Sequence, residues 1–596
     1  MTTERAEPGI LFTGLHAHSV AGSIFDAIGH PPEHMDFAYE NGMDALALTD
    51  HGNMNGLAGQ VLHAKQMQAE GKDFKPIFGV EAYFIPSISE WREEYERVKA
   101  EKKMKKSDGE VSGTTVEDED ASKQAVKNVL NRRRHLILLA QDQDGLENLF
   151  KLVSESYKPE NFYRFPRVDY KMLAKYSEGV IASSACLGGV YAGNYWENRE
   201  EGSEAVLEAM RGTTRRMVEI FGDRWYGELQ WNNIPEQHDL NQYVIQMKEE
   251  FDIPLISTAD SHYPNRDAWK DRELYKRLGW LGKGKPDWAD NTELPVSVEE
   301  VGYELYPKNG DEMFASYKQY SKQVGREYDD DMVLNSLVET YHIAHSRIDT
   351  FYPDTTVRLP DFVVPAGVTA AQALTKLCFE GLRTIEQHNN PEYINRLNQE
   401  LAVIGDRGFS KYFLTMKAIA DRANDIMLTG PGRGSAAGAL VAYALGITQI
   451  DPLKYGLLFS RFLRSDATDY PEIDYDVAEP MFLKEKLIEE WGDTTVVPIS
   501  NWNTLQLRSL IKDISKLYSI PFMEVNTVTG KMLREATPAA KKAHGISVVC
   551  TCQPLRKSSN TARRFRISCE SIRRSRATSM SFTGRFGHAL ATPAVL

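Results

Sequence analysis

Two groups of residues in this sequence have the types and spacings that chemistry needs. The first is spread over the N-terminal 265 residues: His16-x-His18, Asp26, Thr49-Asp50-His51-Gly52, Glu81, His135, Cys186 and Asp260-x-His262. Imidazole, carboxylate and thiolate together suit zinc or manganese, and so many ligand-competent side chains imply more than one ion. On an extended strand alternate side chains share a face, so His16 with His18, and Asp260 with His262, can each chelate. Any one of these fragments is commonplace in proteins; the reading rests on their falling together at or just beyond the ends of apolar runs. Cys186, in the small-residue turn Ser183-Ser184-Ala185, also reads as a buried structural thiol. Asp50 also reads as a partner that orients a ligand histidine instead of binding metal.

The second group opens at Gly430-Pro431-Gly432-Arg433-Gly434-Ser435-Ala436-Ala437-Gly438, after the apolar Ile426-Met427-Leu428 and before Ala439–Leu445. Loop then helix is the expected form. Backbone N–H groups at such a turn can cradle a triphosphate at a helix N-terminus, with Gly432 and Gly434 admitting it, Arg433 adding charge and Ser435 a hydroxyl. No Lys-Ser or Lys-Thr closes the loop, so it is not a Walker loop. Thirty-six residues after Gly438 comes Asp474-x-Asp476, in a short apolar stretch expected to be a strand with both carboxylates on one face. That pair suits two magnesium ions, one activating a 3′ hydroxyl and one holding the departing pyrophosphate.

Elements must position these groups, and the first 265 residues repeat one unit: a short apolar run, polar residues at its end, then a helical stretch. That alternation predicts an α/β barrel. The runs are Ile10–Leu15, Ala45–Leu48, Pro76–Val80, Leu136–Ala140, Val180–Ala182, Tyr226–Leu229 and Ile253–Ser257, with helical segments at His34–Asn41, Leu57–Gln68 and Gly145–Tyr157. The expected barrel spans 9–268, interrupted by a Lys/Glu-rich helical or flexible excursion at 89–134. A helical linker region is expected at 269–367 and a second globular unit at 368–546, with helices at Ala371–Gln387 and Pro391–Ile404. From 547 to 596 there are nine Lys or Arg against one acidic residue, Glu570, and no hydrophobic period. This tail is expected to be disordered or out of the ancestral frame, with the chain cut short or frameshifted near Ile546.

At 596 residues the chain calls for several domains. Its net charge of −14 excludes general coating of nucleic acid, which needs clustered Lys and Arg, without excluding a local basic groove. Five cysteines cannot build a disulfide framework in so long a chain. No apolar run has membrane-spanning length, and Met1–Gly9 lacks the pattern of a secretory signal, so no membrane partner and a cytoplasmic location are expected.

The stretches LHAHS, ALALTDHGN, FGVEAYFIP, RRRHLILLAQD, ASSACLGG, YGELQ and STADSHYPN resemble, in order, the motifs of the polymerase and histidinol phosphatase (PHP) domain of bacterial DNA polymerase III alpha subunits. GFSKYFLTM, GPGRGSAAGALVAYALGITQIDPLKYGLLFSRFL and PEIDYD are similar to that family's palm. The resemblance implies an α/β multi-domain chain, a distorted seven-stranded PHP barrel followed by a partial polymerase-beta-like α+β palm. It implies a three-metal site at His16, His18, Asp26, His51, Glu81, His135, Cys186, Asp260 and His262, holding zinc or manganese, which removes nucleotides from a 3′ end in some members. Asp474 and Asp476 become the first two magnesium-binding carboxylates of the palm, Gly432–Ser435 its triphosphate loop, and Arg461 and Arg464 steer phosphate. SNWNTLQLRSLIKDISK, up to Lys516, resembles a palm helix. The third palm carboxylate and its neighbouring Lys have no counterpart; Asp513 occupies a helix position.

The function so implied is template-directed addition of deoxynucleotides to a primed DNA template, incomplete in this chain and calling for a second polymerase fragment and other replisome proteins. Two alternatives remain open at this point: a metal-dependent 3′–5′ exonuclease or phosphoesterase acting through the barrel alone, and a catalytically inert fragment or docking module.

Overall fold

The computed structural model describes residues 5–107, 132–280, 295, 297–354, 361–464, 470–493, 495–497, 507–518 and 520–530. The chain divides into two compact units, Met1–Pro353 with Thr504–Leu596, and Asp354–Asn503.

In the first unit six strands form one curled, mixed sheet: β1 (Ala45–Leu48), β2 (Lys75–Phe84), β3 (Arg134–Ala140), β6 (Val180–Ser183), β7 (Trp225–Leu229) and β8 (Leu255–Ser257), in that order. A separate short pair, β4 (Phe162–Tyr163) and β5 (Phe165–Pro166), lies apart from it. β1 and β2 are parallel, as are β6, β7 and β8, while β3 runs against both its neighbours. These strands are mostly apolar because both faces are covered. Alternate residues Phe78, Val80, Leu136, Leu138, Trp225 and Leu229 belong to the large core shared with the surrounding helices. Their neighbours Ala45, Ala47, Ile77, Ile137, Leu139, Ile181, Tyr226 and Ile256 form a second, inner core with Leu15. Burying each large side chain contributes about 2 kcal/mol, so the two-residue period fixes which face looks inward. One end of the inner core is closed by Ile343, Ala344 and Ile348, where Lys75 Nζ donates to the Ala344 and Ile348 carbonyls at 2.6 Å each.

Six of the seven expected runs are strands; Ile10–Leu15 is not. This segment makes only isolated bridges, Gly14 to Leu46 on β1 and Ala17 to Ser261 beyond β8. Two of its backbone donors are taken by side chains: Ile10 N–H by Asp311 and Thr13 N–H by Thr340 Oγ1. The expected boundary at 268 also falls elsewhere. Helices Gly310–Val324 and Asp330–His342 bury Met313, Tyr317, Val333 and Leu337 in the same core as the sheet, so the segment up to Pro353 is part of the first unit. Of the 89–134 excursion, Ile88–Ser107 is helical and 108–131 lie outside the described residues.

The second unit is helical among its described residues. Helix Ala370–Thr384 opens with a capping box between Thr369 and Gln372, and helix Pro391–Asp406 with an Asn390 cap and Pro391 in its first turn. They pack with Ser410–Ile426 and the short Leu440–Ala444 around Leu374, Cys378, Leu397 and Phe413. The strand expected at Pro471–Val477 is absent as a ladder: one antiparallel bridge, Thr429 to Val477, joins it to the segment before the glycine-rich loop, and no other described segment offers it a partner edge. The helix resembling a palm helix spans Leu507–Leu517, and its buried Leu510, Ile511 and Ile514 belong to the first unit, where it packs against helix Trp269–Trp280. Asp513 sits on it, 2.8 Å from Lys516 Nζ. The tail from 547 lies outside the described residues.

Candidate metal centre and glycine-rich loop

The inner face of the sheet changes from apolar to polar toward one mouth, and parity delivers the ligands there. Along β2 the inward series runs Ile77, Gly79, Glu81; along antiparallel β3 it runs Leu139, Ile137, His135. The bridges His51–Glu81 and Ala17–Ser261 then set His51 beside Glu81, and His16 and His18 beside Asp260 and His262.

All nine side chains come together. Ligand atoms of His16, His18, Glu81 and Asp260 lie within 4.8 Å of one another, as do those of His18, His51 and His262, and those of His51, Glu81 and His135. Asp26 Oδ2 is 3.4 Å from His51 Nε2 and 3.5 Å from His262 Nε2. Cys186 Sγ is 3.6 Å from His135 Nδ1.

Hydrogen bonds settle which ring nitrogen is free. His16 Nδ1 lies 2.7 Å from Glu228 Oε1, which can only accept. His262 Nδ1 lies 2.8 Å from the Asp260 carbonyl. Ser23 Oγ donates to Asp50 at 2.9 Å and so accepts from His18 Nδ1 at 3.3 Å. Each of these rings therefore carries its proton on Nδ1 and turns an Nε2 lone pair into the cluster. His16 Nε2 then faces His18 Nε2 at 3.0 Å, Glu81 Oε2 at 2.9 Å and Asp260 Oδ1 at 3.0 Å. Four lone-pair donors converging at such distances repel unless a cation sits among them, and Asp26 Oδ1 is buried there with no hydrogen-bond partner. The donor set fits divalent metal.

Without a metal ion, the same converging acceptors draw a proton to the cluster instead. Burial opposes charge on His16, yet Asp260 and Glu228 outweigh it and hold the imidazole well above its ordinary pKa. Burial likewise opposes charge on Glu81 and Asp260, and the facing histidines hold both carboxyls well below theirs. For His262 burial dominates and lowers the pKa to about 4, leaving it neutral. Burial, then Asp260 and Glu81, push the Cys186 thiol well up.

Asp50 does not face the ligands. Its carboxylate accepts from Ser19 N–H at 2.7 Å, Ser19 Oγ at 3.0 Å and Ser23 Oγ, bracing the loop that carries His18. Glu228 received no role from the sequence beyond its place in YGELQ. The available signal was parity, since Tyr226 and Glu228 share the inward face of β7.

At the glycine-rich loop, Gly430 N–H donates to the Asp476 carbonyl at 2.8 Å and Arg433 Nη1 to Asp476 Oδ1 at 3.1 Å. Gly434 has φ +66°, and a Cβ there would lie 2.3 Å from Asp474 Oδ2. Glycine is required for both conformation and contact. Ile473, Tyr475 and Val477 pack into hydrophobic clusters while Asp474 and Asp476 face the loop. Arg433, Gly434 and Ser435 are exposed and Gly432 half-buried; Arg461 and Arg464 are exposed as well. One expectation is corrected: the N-terminus of helix Leu440–Ala444 is not open to a triphosphate. Buried Glu400 Oε2 accepts Val441 N–H at 2.9 Å, and its Oε1 accepts Arg396 Nε at 2.6 Å, so a carboxylate already satisfies that end.

Family comparison matches residues 14–232 to the PHP domain and residues 372–584, a span running past Ile546, to the bacterial DNA polymerase III alpha NTPase domain. The DNA polymerase III subunit alpha of Aquifex aeolicus is 33% identical over 86% of this chain, that of Borreliella burgdorferi 32% over 87%, and that of Helicobacter pylori strain J99 30% over 86%. The chain spans about two fifths of the length of these relatives, 39–40%. A solved amidohydrolase from Chromobacterium violaceum aligns over 44% of this chain and 97% of its own at 15% identity, with a TM-score of 0.22, too low to bear on the fold. The chain thus matches a PHP domain and then a DNA polymerase III alpha NTPase domain, in that order, and is similar to the bacterial DNA polymerase III alpha subunits.

Proposed function

We propose that this chain contributes the PHP metal centre and the nucleotide-binding part of the palm to a replicative, template-directed DNA polymerase of the polymerase III alpha type. The observation that carries the reading is the seating of Asp474 and Asp476 against the glycine-rich loop, within a region similar to the NTPase domain of such enzymes. In this reading Asp474 and Asp476 hold magnesium, while Arg433, Ser435 and the backbone of Gly432 and Gly434 bind the triphosphate. Primed DNA and deoxynucleoside triphosphates are the substrates, and the location is cytoplasmic. Among the described residues no helix is long and apolar enough to cross a membrane. In this reading a further polymerase fragment joins this chain for synthesis. Primer extension with magnesium, by this chain joined with the remaining polymerase segment, tests the proposal: loss of extension in Asp474→Ala and Asp476→Ala supports it, and unchanged extension removes it.

A second reading, hydrolysis at the PHP centre, is favoured by the gathering of all nine ligand-competent side chains. Zinc or manganese fits these donors, and the segment through Gly14 and Ala17 acts as a seventh stave that closes the barrel around them. Bound ions would supply hydroxide and neutralise the phosphodiester. The chain's own part is to hold His16, His18 and His262 in the ligating tautomer. Asp26 adds an oxygen with no competing partner. Shortening of a 3′ end with manganese and no nucleotides, lost in His16→Ala, is the expected result; an unshortened primer with a metal-loaded chain would leave the centre without this activity.

A further inference from the structure

We infer that Glu228 is the positioning residue of the deep metal site, acting on the ions only through His16. The inference rests on the reading of the cluster as a metal centre. Glu228 is on the inward face of β7 and is 2% exposed. Its Oε1 accepts from His16 Nδ1 at 2.7 Å, Thr258 Oγ1 at 2.5 Å and Gln230 Nε2 at 3.2 Å, and its Oε2 accepts from Ser183 Oγ at 2.6 Å. These four donors come from the N-terminal segment, from β6, from the residues after β7 and from the residues after β8. Each carboxylate oxygen has about two lone-pair sites, and the three donors on Oε1 use that oxygen fully. The oxygen that meets His16 therefore has no lone pair left for an ion, and among the described residues Glu228 joins none of the groups whose atoms lie close enough to share one.

Glu81 shows the contrast within the same inner face. Among the described residues its oxygens meet ring nitrogens alone, those of His16, His18, His51 and His135. One glutamate is thus left open toward the ions and the other is closed by donors. What Glu228 does control is His16: an acceptor fixed at 2.7 Å holds the proton on Nδ1, aims Nε2 at Asp260 and Glu81, and its charge makes Nε2 a stronger donor. Without it the His16 ring is free to take the other tautomer, and the deep site loses one of its four converging atoms.

The test titrates the metal-free full chain with Co2+ and follows its visible absorption. Wild type is expected to saturate; Glu228→Gln should weaken the tightest phase about 10-fold and Glu228→Ala up to about 100-fold. At saturation both should show a changed absorption band, a sign of altered ligand geometry that lost folding stability alone does not produce. Ser183→Ala, which removes only the donor to the oxygen away from His16, should stay close to wild type in affinity and spectrum. Glu228→Gln is isosteric and keeps an acceptor toward His16, so the result stands even where Glu228→Ala fails to fold. Wild-type affinity and spectrum in Glu228→Gln would overturn the inference while leaving the metal centre intact. A wild-type chain that takes up no Co2+ would instead overturn the metal-centre reading on which it rests.

Discussion

The polar mouth of the curled sheet and the glycine-rich loop both gather carboxylates, and they hold them in opposite ways. At the mouth, His16, His18, Glu81 and Asp260 are buried, and a further shell of hydrogen bonds from Glu228, Ser23 and the Asp260 carbonyl fixes each ring. At the loop, Asp476 is exposed and its side chain meets one guanidinium, that of Arg433. Burial leaves the charge of the first cluster to be balanced by protons or metal ions within it. Exposure leaves the second stable as it stands, with its chemistry dependent on what arrives.

The largest effect should come from removing a buried partner at the mouth. His16→Ala leaves Glu81, Asp260 and Glu228 facing one another, which should cost about 3–5 kcal/mol in the metal-free chain and lower metal affinity more than about 100-fold. Thermal denaturation and elemental analysis of dialysed protein would show both losses; wild-type metal content would break the contrast between the regions.

Next is pH. His34 is fully buried near this mouth, its Nε2 donating to the Ile28 carbonyl at 3.0 Å, and burial lowers its pKa to about 4. A histidine whose folded pKa lies below the unfolded one costs stability as pH falls from about 6.5 to about 4, because only the unfolded chain takes the proton. The loss should be on the order of 3 kcal/mol, and His34→Leu should remove that part of the difference between denaturation at pH 7 and at pH 4.5. An equal difference in wild type and variant would mean that other groups set the acid limit.

Smaller still is Gly434→Ala. The left-handed backbone and the contact with Asp474 should together cost about 1–2 kcal/mol, and displacement of the carboxylate should weaken magnesium-dependent triphosphate binding. Unchanged binding by calorimetry would detach the loop from Asp474. The smallest shift belongs to Asp476→Ala, whose exposure predicts a stability within about 0.5 kcal/mol of wild type while extension by the joined enzyme is lost. A large drop in melting temperature would show that this carboxylate is structural after all, and the contrast with the mouth would vanish.

How legible these regions were follows from the forces that set them. Period-two alternation, which burial enforces on both faces of the sheet, is written into the sequence, and six of the strands, with ligand candidates gathered at their ends, could be read from it; Asp26 lies off the strands and outside that pattern. Ile10–Leu15 has the same apolar look, but its ladder donors go to Asp311 and Thr340, some three hundred residues away, and no local pattern records that. Asp50 and Glu228 look like any acidic residue in a motif; their roles depend on hydroxyls supplied by other segments. Glu400 was invisible for the same reason, since a glutamate one turn from Arg396 reads as an ordinary helix pair until Val441 arrives from across the core. The helix Leu507–Leu517 shows a clear amphipathic stripe, yet the stripe does not say which unit it will cover.

The reversed strand β3 has an architectural consequence. In a uniformly parallel barrel every connection must travel from the mouth back to the floor before the next stave begins. Here β2 leaves the sheet at Phe84 and β3 returns at Arg134, paired opposite each other at the mouth. The segment between them therefore starts and ends beside the ligands Glu81 and His135. A connection of this kind need not travel the length of the sheet, so its length is free of the geometry that the strands impose.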